Sequence, residues 1–154
     1  MDNIFAQATA AGRAGVSVIR LSGRQAFDIA NNFCKLPAVG RTGLRVLRGC
    51  NGALIDHGLV LCFEQGASFT GERVVEFQVH GGLATVAKLL AELSMQEACR
   101  LAEPGEFTRR ALENGQLDLN QVEALSDLID AETEAQRQQA IRVLDGSFGD
   151  AGEQ

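Results

Sequence analysis

The sequence predicts an α+β fold, and three stretches of it carry that reading. Val75, Phe77 and Val79 alternate with Glu76, Gln78 and His80, the period of two of a strand with one apolar side. Val16–Leu21, VSVIRL, is a second strand, with Ile19 and Leu21 on one face and Arg20 sharing the other with Val16 and Val18. Leu83, Val86, Leu90 and Leu93 instead recur at helical spacing and form the buried stripe of an amphipathic helix over 83–93.

Taken in order, Ile4–Thr9 reads as a first strand and Ala11–Gly15 as a small-residue turn before VSVIRL. Ser22 and Gln25 fit a capping box, so a helix is expected to start at Gly23 or Arg24. Phe27, Ala30 and Cys34 give it a buried face, and Pro37 stops it. Leu44–Leu47 is a short strand in a Gly- and Arg-rich stretch, and Leu59–Phe63 a clearer one. After the 83–93 helix come a short strand, Arg100–Ala102, a turn at 103–106 and a short helix, Phe107–Glu113, with Gly115 just past its end. Asp118 and Gln121 cap the next helix, whose stripe is Val122, Leu125, Leu128 and Ile129. Thr133 with Gln136 offers another capping box, so a break is expected near Ala131 and a further helix over 134–144. Its apolar side, Ala140, Ile141 and Leu144, is too thin to fold alone and needs another helix or another chain. Residues 149–154 are small and acidic and read as a frayed tail.

The 154 residues suit one ordinary domain with room for a small appendage. With no Trp or Tyr, the core rests on aliphatic residues and eight Phe. A net charge of −6 argues against direct nucleic-acid binding, which depends on neutralising phosphates. The four cysteines, Cys34, Cys50, Cys62 and Cys99, show no metal-ligand spacing. With no signal-peptide pattern at the start, they read as reduced thiols of a cytoplasmic protein. No apolar run approaches membrane-spanning length.

The sequence holds no GxxxxGK[ST] phosphate loop, GxGxxG, HExxH or GxSxG. No metal site and no catalytic residue is expected. The residues themselves point to a small-molecule site around Glu76, His80, Gly81–Gly82 and Arg20, where polar side chains and bare backbone N–H groups converge.

The segments AQATAAGRAGVSVIRLSG, SFTGERVVEFQVHGG, LAEPGEFTRRALENGQLDLNQVEALSDLIDA and IRVLDGSF resemble the tRNA uridine-modification GTPase family called MnmE or TrmE, in that family's order and at about its spacing. The resemblance runs from Ile4 to Phe148. It implies a mixed or antiparallel sheet with packed helices, similar to folate-binding aminomethyltransferase domains, followed by a short helical segment. On this reading 1–118 is a folate-binding and dimerisation domain, 119–148 the start of a helical domain and 149–154 a disordered tail. The implied ligand is 5-formyl- or 5,10-methylene-tetrahydrofolate. Arg20 matches the family's folate-contacting Arg, and Glu76 its pterin-binding Glu. A pterin edge presents a ring N–H beside an amino group, and one carboxylate can accept both. The family's third contact is a basic residue before LDL; here it is Gln116, an amide that donates but carries no charge. Ala10–Ala11 stand where the family usually has proline.

The resemblance also implies a homodimer. In the full-length family an FAD-dependent partner protein and tRNA join it to modify C5 of the wobble uridine. GTP, magnesium and potassium belong to that longer protein, because the chain is expected to lack the GTPase domain, and likewise the family's C-terminal CxGK motif. It is therefore not expected to be catalytic alone. Two further readings stand beside this one. A truncated dimerisation or interaction module would no longer bind folate, which Gln116 favours. A free-standing one-carbon transferase would rest on fold analogy.

Overall fold

The structure is a computed structural model that describes residues 2–9, 15–80 and 82–144. Among these residues six strands form one mixed sheet. They are β1 (Asn3–Thr9), β2 (Ser17–Ser22), β3 (Thr42–Arg48), β4 (Leu54–Phe63), β5 (Val74–Val79) and β6 (Cys99–Leu101). Their spatial order is β3-β4-β5-β2-β1-β6. Every neighbouring pair is antiparallel except β1 with β6. Five helices accompany it among the described residues: α1 (Ala26–Ala30), α2 (Gly82–Ser94), α3 (Glu106–Glu113), α4 (Leu119–Ala124) and α5 (Ser126–Leu144). The fold is α+β, as the two periodicities require.

Register turns the alternation of each strand into two sheet faces. Phe5, Leu21, Val75 and Cys62 lie side by side across four strands, and each is buried. Ile19, Phe77 and Val60 form the next row. Helices α1 and α2 cover this face with Ile29, Val86, Leu89, Leu90 and Leu93, joined by Phe33 from the turn after α1. The opposite face carries the row Ala6, Arg20, Glu76, Leu61 and Thr42. Its β1 end is closed by a smaller cluster of Ile4, Ala6, Ala102 and Phe107, with Phe69 against it, and α5 also packs on β1. Toward β3 this face opens, and Leu44 is 64% exposed.

The structure departs from several local expectations. Helix α1 is a single short stretch that starts at Ala26, later than Ser22 would set it. The buried side chain of Asn3, on β1, accepts from the Gln25 N–H at 2.9 Å and donates to the Gln25 amide at 3.0 Å. Ser22 instead meets Thr70 and Glu72, so it caps nothing. The chain leaves α1 after Ala30, well before Pro37, and Ala26, Ile29 and Ala30 supply its buried side. In α2, Val86, Leu90 and Leu93 are buried as expected, but Leu83, in the first turn, is 70% exposed. The break in the last helices falls at Leu125, and α5 then runs unbroken through Ala131. No box forms between Thr133 and Gln136; the buried Gln136 carboxamide accepts from the Gly105 N–H at 3.0 Å.

Other expectations hold. Asp118 and Gln121 form a reciprocal capping box at the start of α4. The strand at 99–101 and the helix at 106–113 stand within a residue of their expected bounds. The expected single stripe of Val122, Leu125, Leu128 and Ile129 is instead divided between α4 and α5 by the break at Leu125, and it is largely uncovered, with Leu128 71% exposed. The Ala11 turn and the 149–154 tail lie outside the described residues.

Candidate functional site

Arg20 on β2 stands directly opposite Glu76 on β5. Arg20 Nε donates to Glu76 Oε2 at 3.2 Å. Both side chains are mostly buried, 12% and 19% exposed. A second carboxylate reaches the same guanidinium from the helical end of the chain: Glu132 of α5 accepts from Arg20 Nη1 at 2.6 Å. Two rings complete the enclosure. The Arg20 guanidinium carbon lies 4.8 Å from the Phe69 ring centroid and 5.2 Å from that of Phe107, within cation–π range. Two carboxylates against one guanidinium leave an excess of negative charge. Burial pushes the Glu132 carboxyl above its ordinary value, Arg20 pulls it back, and Glu76 adds to the rise.

Phe69 is held over Arg20 by a loop with little freedom. Gly71 adopts φ of +84°, a left-handed turn suited to glycine, and a Cβ there would stand 2.8 Å from Asn114 Cβ. The Gly71 N–H donates to Ser68 Oγ at 3.0 Å, and Ser68 Oγ donates to the Glu72 carbonyl. Asn114 donates to the Thr70 carbonyl at 2.7 Å. Glu72 takes Ser22 at 2.8 Å and Arg110 at 2.8 Å. Behind it lies Glu106, whose side chain is 1% exposed and pairs with Arg100, Arg109 and Arg110. Burial alone would raise the Glu106 carboxyl; hydrogen bonds from Arg100 and the Glu103 N–H, with the nearby arginine charges, hold it below its ordinary value instead.

The structure thus joins Arg20 to Glu76, and treats the other sequence candidates differently. Gln116 lies beside the Gly71 turn, its Cγ 3.1 Å from where a Gly71 Cβ would be, and its N–H donates to the Ala111 carbonyl. It borders the loop that carries Phe69. His80 falls just past β5, exposed, with its N–H donating to Asp56 at 3.0 Å. Gly82 opens α2, and Gly81 lies outside the described residues. Two clefts share Glu72 and Asn114 in their linings. One of about 350 Å³ is bounded by Asp2, Arg100, Glu106 and Arg110, and an open groove of about 740 Å³ by Arg24, Gln65 and Arg73. Neither includes Arg20, Glu76 or Gln116. Among the described residues no cluster of His, Cys, Asp or Glu could hold a metal ion, and no helix is long and apolar enough to cross a membrane.

Sequence reasoning missed Phe69, Phe107 and Glu132. Phe69 stands at the head of the FTGE turn and could have been singled out there. Glu132 is a plain acidic residue in a polar run, and only packing of α5 against β1 brings it to Arg20.

The fold and this pair define an α+β domain that buries an arginine between two carboxylates on the otherwise open face of its sheet. Residues 3–116 match the family model described as the GTP-binding protein TrmE N-terminus. The tRNA modification GTPase MnmE of Roseobacter denitrificans is 60% identical over 151 residues, which cover 97% of this chain and 35% of the relative. The proteins of the same description from Dinoroseobacter shibae and Ruegeria pomeroyi are 56% and 57% identical, over 97% and 99% of this chain and 35% and 36% of their own lengths. The chain belongs to the MnmE/TrmE family and carries its N-terminal domain. It spans about a third of the length of the curated relatives it matches.

Proposed function

We propose that this chain is the tetrahydrofolate-binding and dimerisation domain of a cytoplasmic protein that modifies C5 of the tRNA wobble uridine. The Arg20–Glu76 pair carries the reading. Glu76 Oε2 takes Arg20, and Oε1 has no protein partner among the described residues. A carboxylate fixed in this way suits a flat heterocycle with adjacent N–H donors, and the edge of a 5-formyl- or 5,10-methylene-tetrahydrofolate pterin is such a group. Phe69 and Phe107 hold Arg20 beside that carboxylate. Bound there, a folate would supply a one-carbon unit; the chain's own residues orient its ring and shield one side of it from water. On this reading the chain serves to hold the folate. Its relatives' printed name supports the tRNA assignment. GTP hydrolysis, with its magnesium and potassium, and work with an FAD-dependent partner and tRNA fall to the longer protein.

The exposed leucines favour association with a second copy. Leu44 and the half-exposed Val46 share the open sheet side with Leu59 and Leu61. The test of the ligand is calorimetric titration of 5-formyltetrahydrofolate into the parent chain and Glu76→Ala. Binding by the parent and none by the variant is expected. Equal binding by both would place the ligand elsewhere, and no binding by either would leave the reading of a pure dimerisation module.

A further inference from the structure

Arg20 has more partners than a ligand contact needs. It bridges β5, through Glu76, to α5, through Glu132. Glu132 is itself steadied by its own helix: Gln136 donates to Glu132 Oε1 at 3.4 Å while accepting from the Gly105 N–H. The chain Gly105–Gln136–Glu132–Arg20–Glu76 therefore runs from the start of α3, across α5, to the middle of the sheet. Each member is buried or nearly so.

A donor-rich ligand edge taken up by Glu76 draws carboxylate charge away from Arg20. Without a second counter-ion, a mostly buried guanidinium would be left half-paired, which is costly. Glu132 is the group that can compensate. We propose that Glu132 is a positioning residue of the Arg20–Glu76 site, holding Arg20 between Phe69 and Phe107 when Glu76 engages a ligand, so that occupancy of the site and docking of α5 on the sheet are coupled. The inference rests on the folate reading for the ligand's identity, and on the geometry above for the coupling. By reciprocity, whatever pulls α5 from the sheet weakens ligand binding, and ligand holds α5 down.

The experiment uses the whole chain, 5-formyltetrahydrofolate as probe, and the isosteric variant Glu132→Gln. Calorimetry reads affinity, and amide hydrogen exchange over 126–138 reads docking of α5. In the parent, ligand is expected to slow exchange in the first turns of α5. Glu132→Gln is expected to bind about tenfold more weakly, about 1.4 kcal/mol, and to lose the ligand effect on α5 while the sheet amides stay protected. A purely structural role would loosen α5 without changing its response to ligand. Unchanged affinity in the variant, or parent α5 amides indifferent to ligand, overturns the coupling. A parent that takes up no 5-formyltetrahydrofolate overturns the folate reading instead. Ligand-free exchange then judges Glu132 alone: Glu132→Ala, which removes the contacts to both Arg20 and Gln136, should speed α5 exchange, and an unchanged rate overturns its docking role.

Discussion

Arg20 shows how a single residue acquires a role from its neighbours. An arginine near the end of an apolar strand could snorkel to water. Here it meets Glu76, Glu132 and two rings, and its guanidinium stays mostly covered. A hydrogen bond to a charged group contributes roughly 1.5–3 kcal/mol, which is about 10- to 150-fold in affinity. Glu76→Gln should weaken 5-formyltetrahydrofolate binding by that range, because an amide N–H then faces a ligand N–H; calorimetry against the parent checks it. The cysteines differ by burial in the same way. Cys50 is exposed, whereas burial pushes the Cys34 thiol up to about 11 and the Cys99 thiol up to about 12. The thiolate is the reactive form. Timed alkylation at neutral pH, read by mass spectrometry, should therefore modify Cys50 first and leave Cys34 and Cys99 for unfolding conditions.

Among the elements, β5 and α3 carry the most. Phe77 is fully buried in the middle row of the sheet and meets Phe33 edge-on at 6.1 Å. Phe77→Ala removes that contact and leaves a cavity, and should cost about 3–5 kcal/mol in denaturant unfolding. Glu106 at the start of α3 anchors three arginines from a buried position. Its folded carboxyl titrates below the ordinary 4.5, so the stability it contributes is present above that pH and is lost as pH falls through the folded value. Glu132 has the opposite sign, since its folded carboxyl titrates above 4.5 and acidification relieves its burial. Glu106→Gln should lower stability at neutral pH and flatten the loss below about pH 4.5, as followed by urea unfolding at several pH values. Without Glu106 the arginines lose their anchor, and the Glu72 clasp on the Phe69 loop loosens with them.

At the scale of the molecule, one sheet face is finished and the other is not. Helices α1 and α2 cover the first. On the second, cover reaches only the β1 end, and Leu44, Leu125 and Leu128 remain exposed. Scattered exposed leucines are ordinary on a surface, but Leu44 shares the open sheet side with Val46, and Leu125 and Leu128 sit together at the α4–α5 junction. Sedimentation at about 100 micromolar should therefore show a dimer, whose population falls on dilution as mass action requires. A monomer at that concentration would contradict it. The sequence carries no phosphate loop, so filter binding of labelled GTP to this chain should stay at background.

The local pattern of residues was enough to determine the α+β class, the alternating core of β5 and the Asp118–Gln121 cap. Alternation and capping are set by neighbours in the chain, so their signals are written locally. The Arg20–Glu76 pair was legible as residues through the family motifs, though not as a contact. Opposition across β2 and β5 depends on a register between strands more than fifty residues apart. Other features were invisible because long-range partners outbid local ones. Asn3 displaced Ser22 as the partner of the α1 start, Gly105 drew Gln136 out of its expected box, and α5 ran through Ala131. Glu132 is the clearest case: its sequence context is a polar run like any other, and only the docking of α5 against β1 places its carboxylate 2.6 Å from Arg20. Hydrogen bonds and charges act at contact distance, so the groups that meet at this site were decided by how the chain packs, while the elements that carry them were decided by the order of its residues.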